Sequence, residues 1–153
     1  MDTVRDFEDI LDQFAKHGVR YLIIGGLAFI FHAKPRFTKD MDLWIGPEKD
    51  NVTRANEALA EFGSPFLLDP SKPEEILQLG MAPNRIDLLM SVPDVDFNAS
   101  WEKKIGSRYG EAPAYFVDLD TLIQIKSPID DPRHREDVRV LRRVKELLAK
   151  SRK

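Results

Sequence analysis

The stretch at residues 21–46, YLIIGGLAFIFHAKPRFTKDMDLWIG, decides how this chain folds. Residues 19–24 form a short apolar run with branched and aromatic side chains, which is typical of a buried strand. Gly25-Gly26 breaks that run, and residues 27–33 then have the composition of a short helix that ends before a proline. Residues 39–45 are again apolar and branched. The stretch therefore predicts a strand, a glycine turn, a short helix and a second strand.

The second strand of this unit contains two carboxylates, Asp40 and Asp42, one residue apart. Because side chains alternate across a strand, both acids point to one face, about 7 Å apart along the strand. The apolar residues between and after them point to the opposite face and belong to the core: Met41, Leu43 and Ile45. One strand can thus serve both the core and a polar site.

A later segment, residues 84–90 (NRIDLLM), has the same pattern. Its apolar residues alternate with Arg85 and Asp87, so that these two share the polar face of a strand. If this strand lies beside the one at residues 39–45, Asp87 comes next to Asp40 and Asp42. We therefore expect three carboxylates on one patch of the sheet.

Three neighbouring carboxylates repel one another, and their pKa values rise unless a cation compensates the charge. Mg²⁺ takes oxygen ligands from one or two carboxylates together with water and substrate phosphates. Two such ions bridged by Asp40 and Asp42 suit an in-line phosphoryl displacement. The alternative is that these acids are ordinary residues on a solvent-facing side of the sheet. The repeated pattern at Asp87 favours the metal site.

The glycine turn and the loop after the short helix are candidates for phosphate binding. Gly25 and Gly26 allow a ligand to approach the backbone, and the following helix N-terminus offers free N–H groups to an anion. Arg36, Thr38 and Lys39 add positive charge and a hydroxyl just before the first aspartate. The alternative is a tight turn followed by an ordinary loop.

The rest of the chain predicts more helices than strands around this unit, and hence an α+β fold with a small mixed sheet and helices packed on it. Further helices are predicted at 3–16 (with Thr3 as cap), 47–62, 73–79, 97–103 and 133–150. Another helix is predicted to begin at a cap formed by Asp118 or Asp120 and to end at Lys126, and a strand is predicted at 115–117.

Composition limits the class of protein. The 153 residues, 42% of them hydrophobic, predict one domain at 1–153, and the lack of cysteine excludes disulfides and thiolate metal sites. No signal peptide or membrane-spanning run is recognisable, so we expect a cytoplasmic protein without membrane contact. Residues 133–153 hold nine Lys/Arg against three acids, which suits a polyanionic partner or simply a solvated helix. His134 lies among these arginines and is expected in solvent.

The motif set resembles the polymerase-β-like nucleotidyltransferase superfamily, in which a glycine pair follows the first strand, a D-x-D motif lies on the next, and a third Asp lies on a later strand. The matching residues are Gly25-Gly26, Asp40 with Asp42, and Asp87. The form GGLA…H…RFTKDMDLWI is most similar to AbiEii-type toxin nucleotidyltransferases. Arg36 and Thr38 match the R-x-T-x-D-x-D motif of that group, and Lys126 and Asp137 match its later Lys and Asp.

The resemblance implies a nucleotidyltransferase-like fold and the transfer of a nucleoside monophosphate from an NTP to an acceptor hydroxyl, with RNA or protein as candidate acceptor and an antitoxin as candidate partner. It implies that Asp40 and Asp42 bind Mg²⁺, with two ions expected, and that Asp87 completes the site as a general base. The glycines hold the triphosphate, Lys126 neutralises phosphate charge, and Asp137 orients Lys126.

Two other hypotheses stay open from the sequence. A Ser often follows or replaces the second glycine in the superfamily, whereas Leu27 stands here, so the chain is alternatively a catalytically inactive nucleotide- or partner-binding module. Carboxylate clusters also occur in two-metal nucleases, although a nuclease has no need of a triphosphate-binding turn.

Overall fold

A mixed β-sheet forms the centre of the molecule in the computed structural model, which describes residues 4–80 and 84–151. Within these residues the sheet has six strands in the order β3-β4-β2-β1-β6-β5. This confirms the expected α+β class with a small mixed sheet. The strands are β1 (Tyr21–Ile24), β2 (Asp40–Ile45), β3 (Leu77–Leu79), β4 (Arg85–Leu89), β5 (Ile105–Tyr109) and β6 (Ala112–Phe116).

Six helices accompany these strands in the described part of the chain. Their bounds are α1 (Arg5–Lys16), α2 (Gly25–His32), α3 (Lys49–Phe62), α4 (Phe97–Glu102), α5 (Leu119–Lys126) and α6 (Pro132–Ser151). Asp118 caps α5, since its side chain accepts a hydrogen bond from the backbone N–H of Thr121. Of these helices, within the described ranges, none has the length and apolar character needed to cross a membrane.

Strand pairing brings the two aspartate-bearing strands together. β1 pairs with β2 in antiparallel orientation, and β2 pairs with β4 in parallel orientation. The parallel pairing sets Met41 opposite Ile86 and Leu43 opposite Leu88, so that their apolar side chains share one face. These four residues are almost fully buried. The register that aligns the apolar face necessarily aligns the polar face as well.

The apolar face of the sheet packs against α1 and α3. Phe7 and Phe14 on α1 and Val52 on α3 are almost fully buried in the same cluster as Tyr21 and Met41 of the sheet. The amphipathic pattern of both helices explains this packing, since each presents one apolar stripe to the core. Burial of this face fixes which residues of β2 and β4 remain available on the other side.

The prediction of a helix at residues 73–79 is wrong. Leu77–Leu79 forms β3, which pairs in antiparallel orientation with β4. The local composition favours a helix, but the open edge of β4 offers backbone hydrogen bonds, and pairing buries Leu79 against the core. Tertiary pairing thus overrides local propensity.

The strand predicted at 115–117 is also longer and has a partner that the sequence did not reveal. β6 begins at Ala112, and Gly110, with φ of 58°, turns the chain back from β5. The alternation of apolar and polar residues does not predict β5, because β5 is an edge strand whose middle residues face solvent. The expected Thr3 cap of α1 lies outside the described residues, and the helix instead starts after Val4, which makes no side-chain cap.

Candidate functional site

The three predicted carboxylates lie on adjacent strands. In the β2–β4 register Asp42 lies directly opposite Asp87, and Asp40 lies opposite Arg85. Asp40 and Asp42 are half-buried and Asp87 is buried, whereas Met41 and Leu43 between and beyond them are in the core. The expected neighbourhood of Asp40, Asp42 and Asp87 is therefore present, on the face of the sheet opposite the one that packs on α1 and α3.

Asp42 carries the strongest electrostatic strain in this patch. Burial raises its pKa, and repulsion from Asp87 and from Asp40 raises it further, to about 7. The ammonium group of Lys126 acts in the opposite direction but does not compensate these effects. A carboxyl group with a pKa near neutrality inside a cleft is typical of a functional site.

Arg85 supplies the cation that lies closest to the other two acids. Its Nε donates to Asp87 Oδ1 at 2.8 Å, and its Nη2 donates to Asp87 Oδ2 at 3.1 Å and to Asp40 Oδ2 at 3.4 Å. The guanidinium group thus bridges carboxylates from two strands. Its side chain is 40% exposed, so it has room to swing away when another cation binds.

The donor set of this patch fits a hard divalent cation, although no three His, Asp or Glu side chains in residues 4–80 and 84–151 are already arranged around a metal position. All donors are carboxylate oxygens, the ligands that Mg²⁺ prefers. Arg85 already occupies a position shared by Asp40 and Asp87, which shows that the two strands can hold one positive charge between them. Asp40, Asp42 and Asp87 are the residues that would hold the metal.

The glycine pair forms the first turn of α2 and lies against the acids. A Cβ atom at Gly25, which has φ of +70°, would lie 2.0 Å from Asp42 Oδ2. A Cβ atom at Gly26 would lie 2.6 Å from Thr38 Oγ1. A larger residue at either position would therefore have to displace the Asp42 carboxylate or the Thr38 hydroxyl, which approach the backbone closely at the helix N-terminus.

A buried ion network forms the opposite wall of the site. Lys126, at the end of α5, donates through Nζ to Asp137 Oδ2 on α6 at 3.0 Å. Asp137 also accepts from Arg36 Nη1 at 2.9 Å. Lys126 and Asp137 are nearly inaccessible to solvent, and burial lowers the pKa of Lys126 while Asp137 raises it. Lys126 and Asp137 are thus in direct contact, and an orienting role of Asp137 in a reaction stays a prediction.

His134 belongs to this wall, although the sequence predicted it in solvent. Its Nδ1 lies 3.4 Å from Lys126 Nζ, and the side chain is only partly exposed. Burial and the charge of Lys126 lower the pKa of His134, which favours the neutral imidazole. The clue in the sequence was spacing, since His134 lies three residues before Asp137 and therefore on the same face of α6.

These groups line a polar cleft of about 240 Å³. Arg85 lies next to this cleft, because it is hydrogen-bonded to the acids. Lys39 is exposed and does not line the cleft, whereas the other candidate phosphate ligands do. The sequence had assigned no part in the site to three of the lining residues, Asp131, Arg133 and His134. The lining consists of Gly25, Gly26, Arg36, Thr38, Asp40, Asp42, Lys126, Asp131, Arg133, His134 and Asp137.

Comparison with known proteins finds no matching family model and no matching curated protein. Solved structures do match. The lincosamide antibiotic adenylyltransferase LnuA, in its lincomycin-bound form, superimposes with a TM-score of 0.63 at 15% identity, over 94% of this chain and 99% of that one. ANT(2")-Ia in complex with adenylyl-2"-tobramycin gives a TM-score of 0.57 at 14% identity, over 95% and 94% of the two chains.

A third match is an antigenic nucleotidyltransferase-like protein from Paracoccidioides brasiliensis, with a TM-score of 0.53 and 14% identity, over 92% of this chain and 74% of that one. At this level of identity the likeness establishes the fold. The chain thus has a nucleotidyltransferase fold, as the glycine pair and the three aspartates had indicated.

Proposed function

We propose that the protein transfers a nucleoside monophosphate from an NTP to an acceptor hydroxyl. The observation that carries this proposal is the meeting of Asp42 and Asp87, on parallel neighbouring strands, with Gly25 at the N-terminus of α2. The structural neighbours LnuA and ANT(2")-Ia support it, because one is described as an adenylyltransferase and the other as a complex with an adenylylated product.

In this proposal the polar cleft holds the triphosphate. Arg36 and Lys126 bring positive charge to the phosphates, and the Thr38 hydroxyl is a hydrogen-bond donor. Gly25 and Gly26 line the same space at the N-terminus of α2, the end of a helix whose backbone N–H groups are free to bind an anion. Leu27 does not take part, since its side chain is buried in the core. Backbone groups therefore replace the serine hydroxyl common in the superfamily.

The acceptor hydroxyl oxygen attacks the α-phosphorus, and the bond to the bridging oxygen of the leaving pyrophosphate breaks. Asp87 accepts the hydroxyl proton once Arg85 has moved aside. The cationic groups that face the cleft stabilise the charge that develops on the phosphate oxygens. Mg²⁺ held by Asp40, Asp42 and Asp87, with two ions expected, would supply neutralisation of the phosphate charge and lower the pKa of the attacking hydroxyl.

The test is label transfer from each α-labelled NTP in the presence of Mg²⁺. We expect wild-type protein to label an acceptor and Asp42→Asn to lose at least about 100-fold of that activity, the usual scale for removal of a charge-stabilising group. Asp9→Asn is the matched control, because Asp9 is an exposed acid on α1 away from the cleft. Equal labelling by wild type and Asp42→Asn contradicts the proposal.

A second candidate is an inactive nucleotide- or partner-binding module. The bridging of Asp87 and Asp40 by Arg85 favours it, because a cation that stays in place would make the metal unnecessary. Arg85→Ala discriminates between the two. If the protein is an active enzyme, the Arg85→Ala variant still requires Mg²⁺ for transfer. If it is a binding module, NTP binds with or without Mg²⁺, and neither the wild type nor Arg85→Ala transfers label.

A role as the toxin of a toxin–antitoxin pair, with RNA or protein as acceptor, remains a prediction from the resemblance to AbiEii-type proteins. Induced expression in a bacterial host tests it. A toxin arrests growth, Asp42→Asn does not, and co-expression of a cognate antitoxin restores growth. Equal growth with wild type and Asp42→Asn argues against this role without affecting the proposed chemistry.

A further inference from the structure

A second cleft adjoins the polar one and has a different chemical character. It measures about 210 Å³, and its walls are mainly aliphatic. Its lining residues are Ile24, Gly25, Asp42, Ile76, Asp87, Leu89, Ile125, Lys126, Ile129 and His134. Gly25, Asp42, Lys126 and His134 line both clefts, so the two spaces meet at the Asp42 carboxylate.

The two clefts divide the three carboxylates between them. Asp40 lines only the polar cleft, Asp87 lines only the apolar cleft, and Asp42 lines both. In the proposed reaction the acceptor oxygen and the α-phosphorus meet near Asp42, while the proton goes to Asp87. The group that carries the reacting hydroxyl must therefore lie on the Asp87 side.

We propose that the apolar cleft binds the acceptor, and that the acceptor is an uncharged small-molecule alcohol with an apolar ring or short aliphatic group next to its hydroxylated part. This inference rests on the proposed function and gives it a substrate class. The acceptor hydroxyl oxygen bonds to the α-phosphorus, pyrophosphate leaves with the electrons of the broken P–O bond, and the proton passes to Asp87.

Size and charge both support this class. A space of about 210 Å³ holds roughly seven waters, which is the volume of one ring rather than of a whole ligand. The charged side chains on its walls are the two acids Asp42 and Asp87 and the single base Lys126, while burial lowers the pKa of His134 and favours its neutral form. With Arg85 paired to Asp87, two positive charges face the two acids, so the resting cleft offers no excess of acid to a polycation.

Ile76 and Ile129 give the cleft an apolar mouth. Their side chains are 57% and 39% exposed, and they lie together at one cleft rather than singly on the surface. A nucleobase is the rival occupant, but a ribose separates the base from the α-phosphate. The space directly beside Asp42 and Asp87 therefore suits the acceptor better than the base.

The experiment uses isoleucine-methyl labelling and NMR, with phenyl β-D-glucoside as the probe and methyl β-D-glucoside as the control that lacks the ring. We expect the phenyl glucoside to shift the methyl signals of Ile76, Ile125 and Ile129 but not that of Ile10 in the core on α1. The methyl glucoside and the polycation spermidine should shift none of them. The absence of any shift with the phenyl glucoside overturns the inference.

Variants separate the acceptor from the nucleotide. Ile129→Glu should weaken phenyl glucoside binding by about tenfold or more while calorimetry shows Mg-ATP affinity within about twofold of wild type. Leu147→Glu, at a similarly exposed position on α6 outside the cleft, is the matched control and should change neither. A tenfold loss of Mg-ATP affinity in Ile129→Glu would assign the cleft to the base and overturn the inference.

The outcome is distinguishable from failure of the proposed function. If the isoleucine methyls respond to the phenyl glucoside but no NTP label is transferred to any acceptor, the reaction is wrong and the apolar cleft remains a site for this class of ligand. If label is transferred but only to RNA, protein or polycations, and the methyls do not respond, the reaction is right and the acceptor class is wrong.

Discussion

Asp42 lies in an environment that differs greatly from that of an ordinary surface acid. Its neighbours on the same strand, Met41 and Leu43, are fully buried, and its partner across the strand pair is another aspartate. The cost of ionising it in the metal-free protein is therefore built into the sheet. This has a measurable consequence for stability.

The first prediction concerns pH. Because the pKa of Asp42 rises from 3.8 in the unfolded chain to about 7 in the folded one, the folded state binds more protons between these values. The stability that protonated Asp42 contributes is complete below about pH 4 and is lost as the pH rises through about 7. In EDTA, the unfolding free energy should therefore fall by a few kcal/mol over this range, since one pKa unit corresponds to about 1.4 kcal/mol.

Asp42→Asn should remove most of this slope in denaturant titrations at pH 5 and pH 8, because an amide does not ionise. Addition of Mg²⁺ to the wild type should raise the free energy of unfolding at pH 8 more than at pH 5. A wild-type slope that is unchanged by Asp42→Asn would show that Asp42 ionises normally.

The second prediction concerns Gly25. Alanine here meets two penalties, a positive φ and a Cβ position 2.0 Å from Asp42 Oδ2. Gly18→Ala is the matched control, because Gly18 has φ of +64° and open space around a Cβ atom, and it should cost about 1 kcal/mol.

Gly25→Ala should cost more than Gly18→Ala by about 1–3 kcal/mol, the usual range for overpacking, unless Asp42 turns aside. If Asp42 turned aside, its carboxylate would no longer lie in the site, so Gly25→Ala should lose nucleotide transfer whether or not Asp42 moves. Gly18→Ala should retain nucleotide transfer. Full transfer by Gly25→Ala would show that the contact between Gly25 and Asp42 is unimportant for the reaction.

At the scale of elements, the contact between α5 and α6 is held by an ion network in a nearly dry environment. Asp137 on α6 accepts from Lys126 on α5 and from Arg36 in the loop before β2. The network ties three segments that are distant in sequence to the wall of the polar cleft. Its disruption should therefore affect both stability and nucleotide binding.

The third prediction is that Lys126→Met destabilises the protein by about 3–5 kcal/mol, because it leaves a buried carboxylate with fewer partners. Asp137→Asn in the same chain should recover part of that loss, since the uncompensated charge is removed. Denaturant unfolding of the two single variants and the double variant measures this coupling. Strictly additive losses would mean that Lys126 and Asp137 stabilise the fold independently.

At the scale of the whole molecule, charge is distributed unevenly. Residues 133–153 carry a net charge of +6, which leaves −9 for the rest of the chain. On α6 the residues from Arg142 to Ser151 include none that is buried, and two of their basic side chains, Arg143 and Lys145, form ion pairs with Glu146 on the same helix and Asp120 on α5. This part of the helix adds charge without adding to the core.

The fourth prediction is that a chain ending at Val144 unfolds within about 0.5 kcal/mol of the full chain, because exposed positions contribute little to stability. Its retention on a heparin column should drop with the loss of basic residues, and its label transfer to small alcohols should be unchanged. A large loss of stability would show that the end of α6 contributes more than its exposed ion pair between Lys145 and Asp120.

The sequence by itself determined the succession of strand, short helix and strand, although the glycines belong to α2 and do not form a separate turn before it. It also determined the two faces of β2 and β4 and the set of carboxylates, because alternation along a strand is a local property. Asp40, Asp42 and Asp87 could be predicted as neighbours, since the apolar faces of their strands must align to be buried. The assignment of Lys126 and Asp137 came from a family resemblance, and the structure places them in contact.

Only the tertiary structure decided the rest. β3 forms because β4 has an open edge, and the position of Arg85 between the acids does not follow from local pattern. Spacing along α6 indicates the face on which His134 lies but not its contact with Lys126. The apolar cleft is assembled from five different parts of the chain, with Ile76, Leu89 and Ile129 far apart in sequence. Local chemistry selects the residues that can form a site, but contacts between distant segments decide what that site can hold.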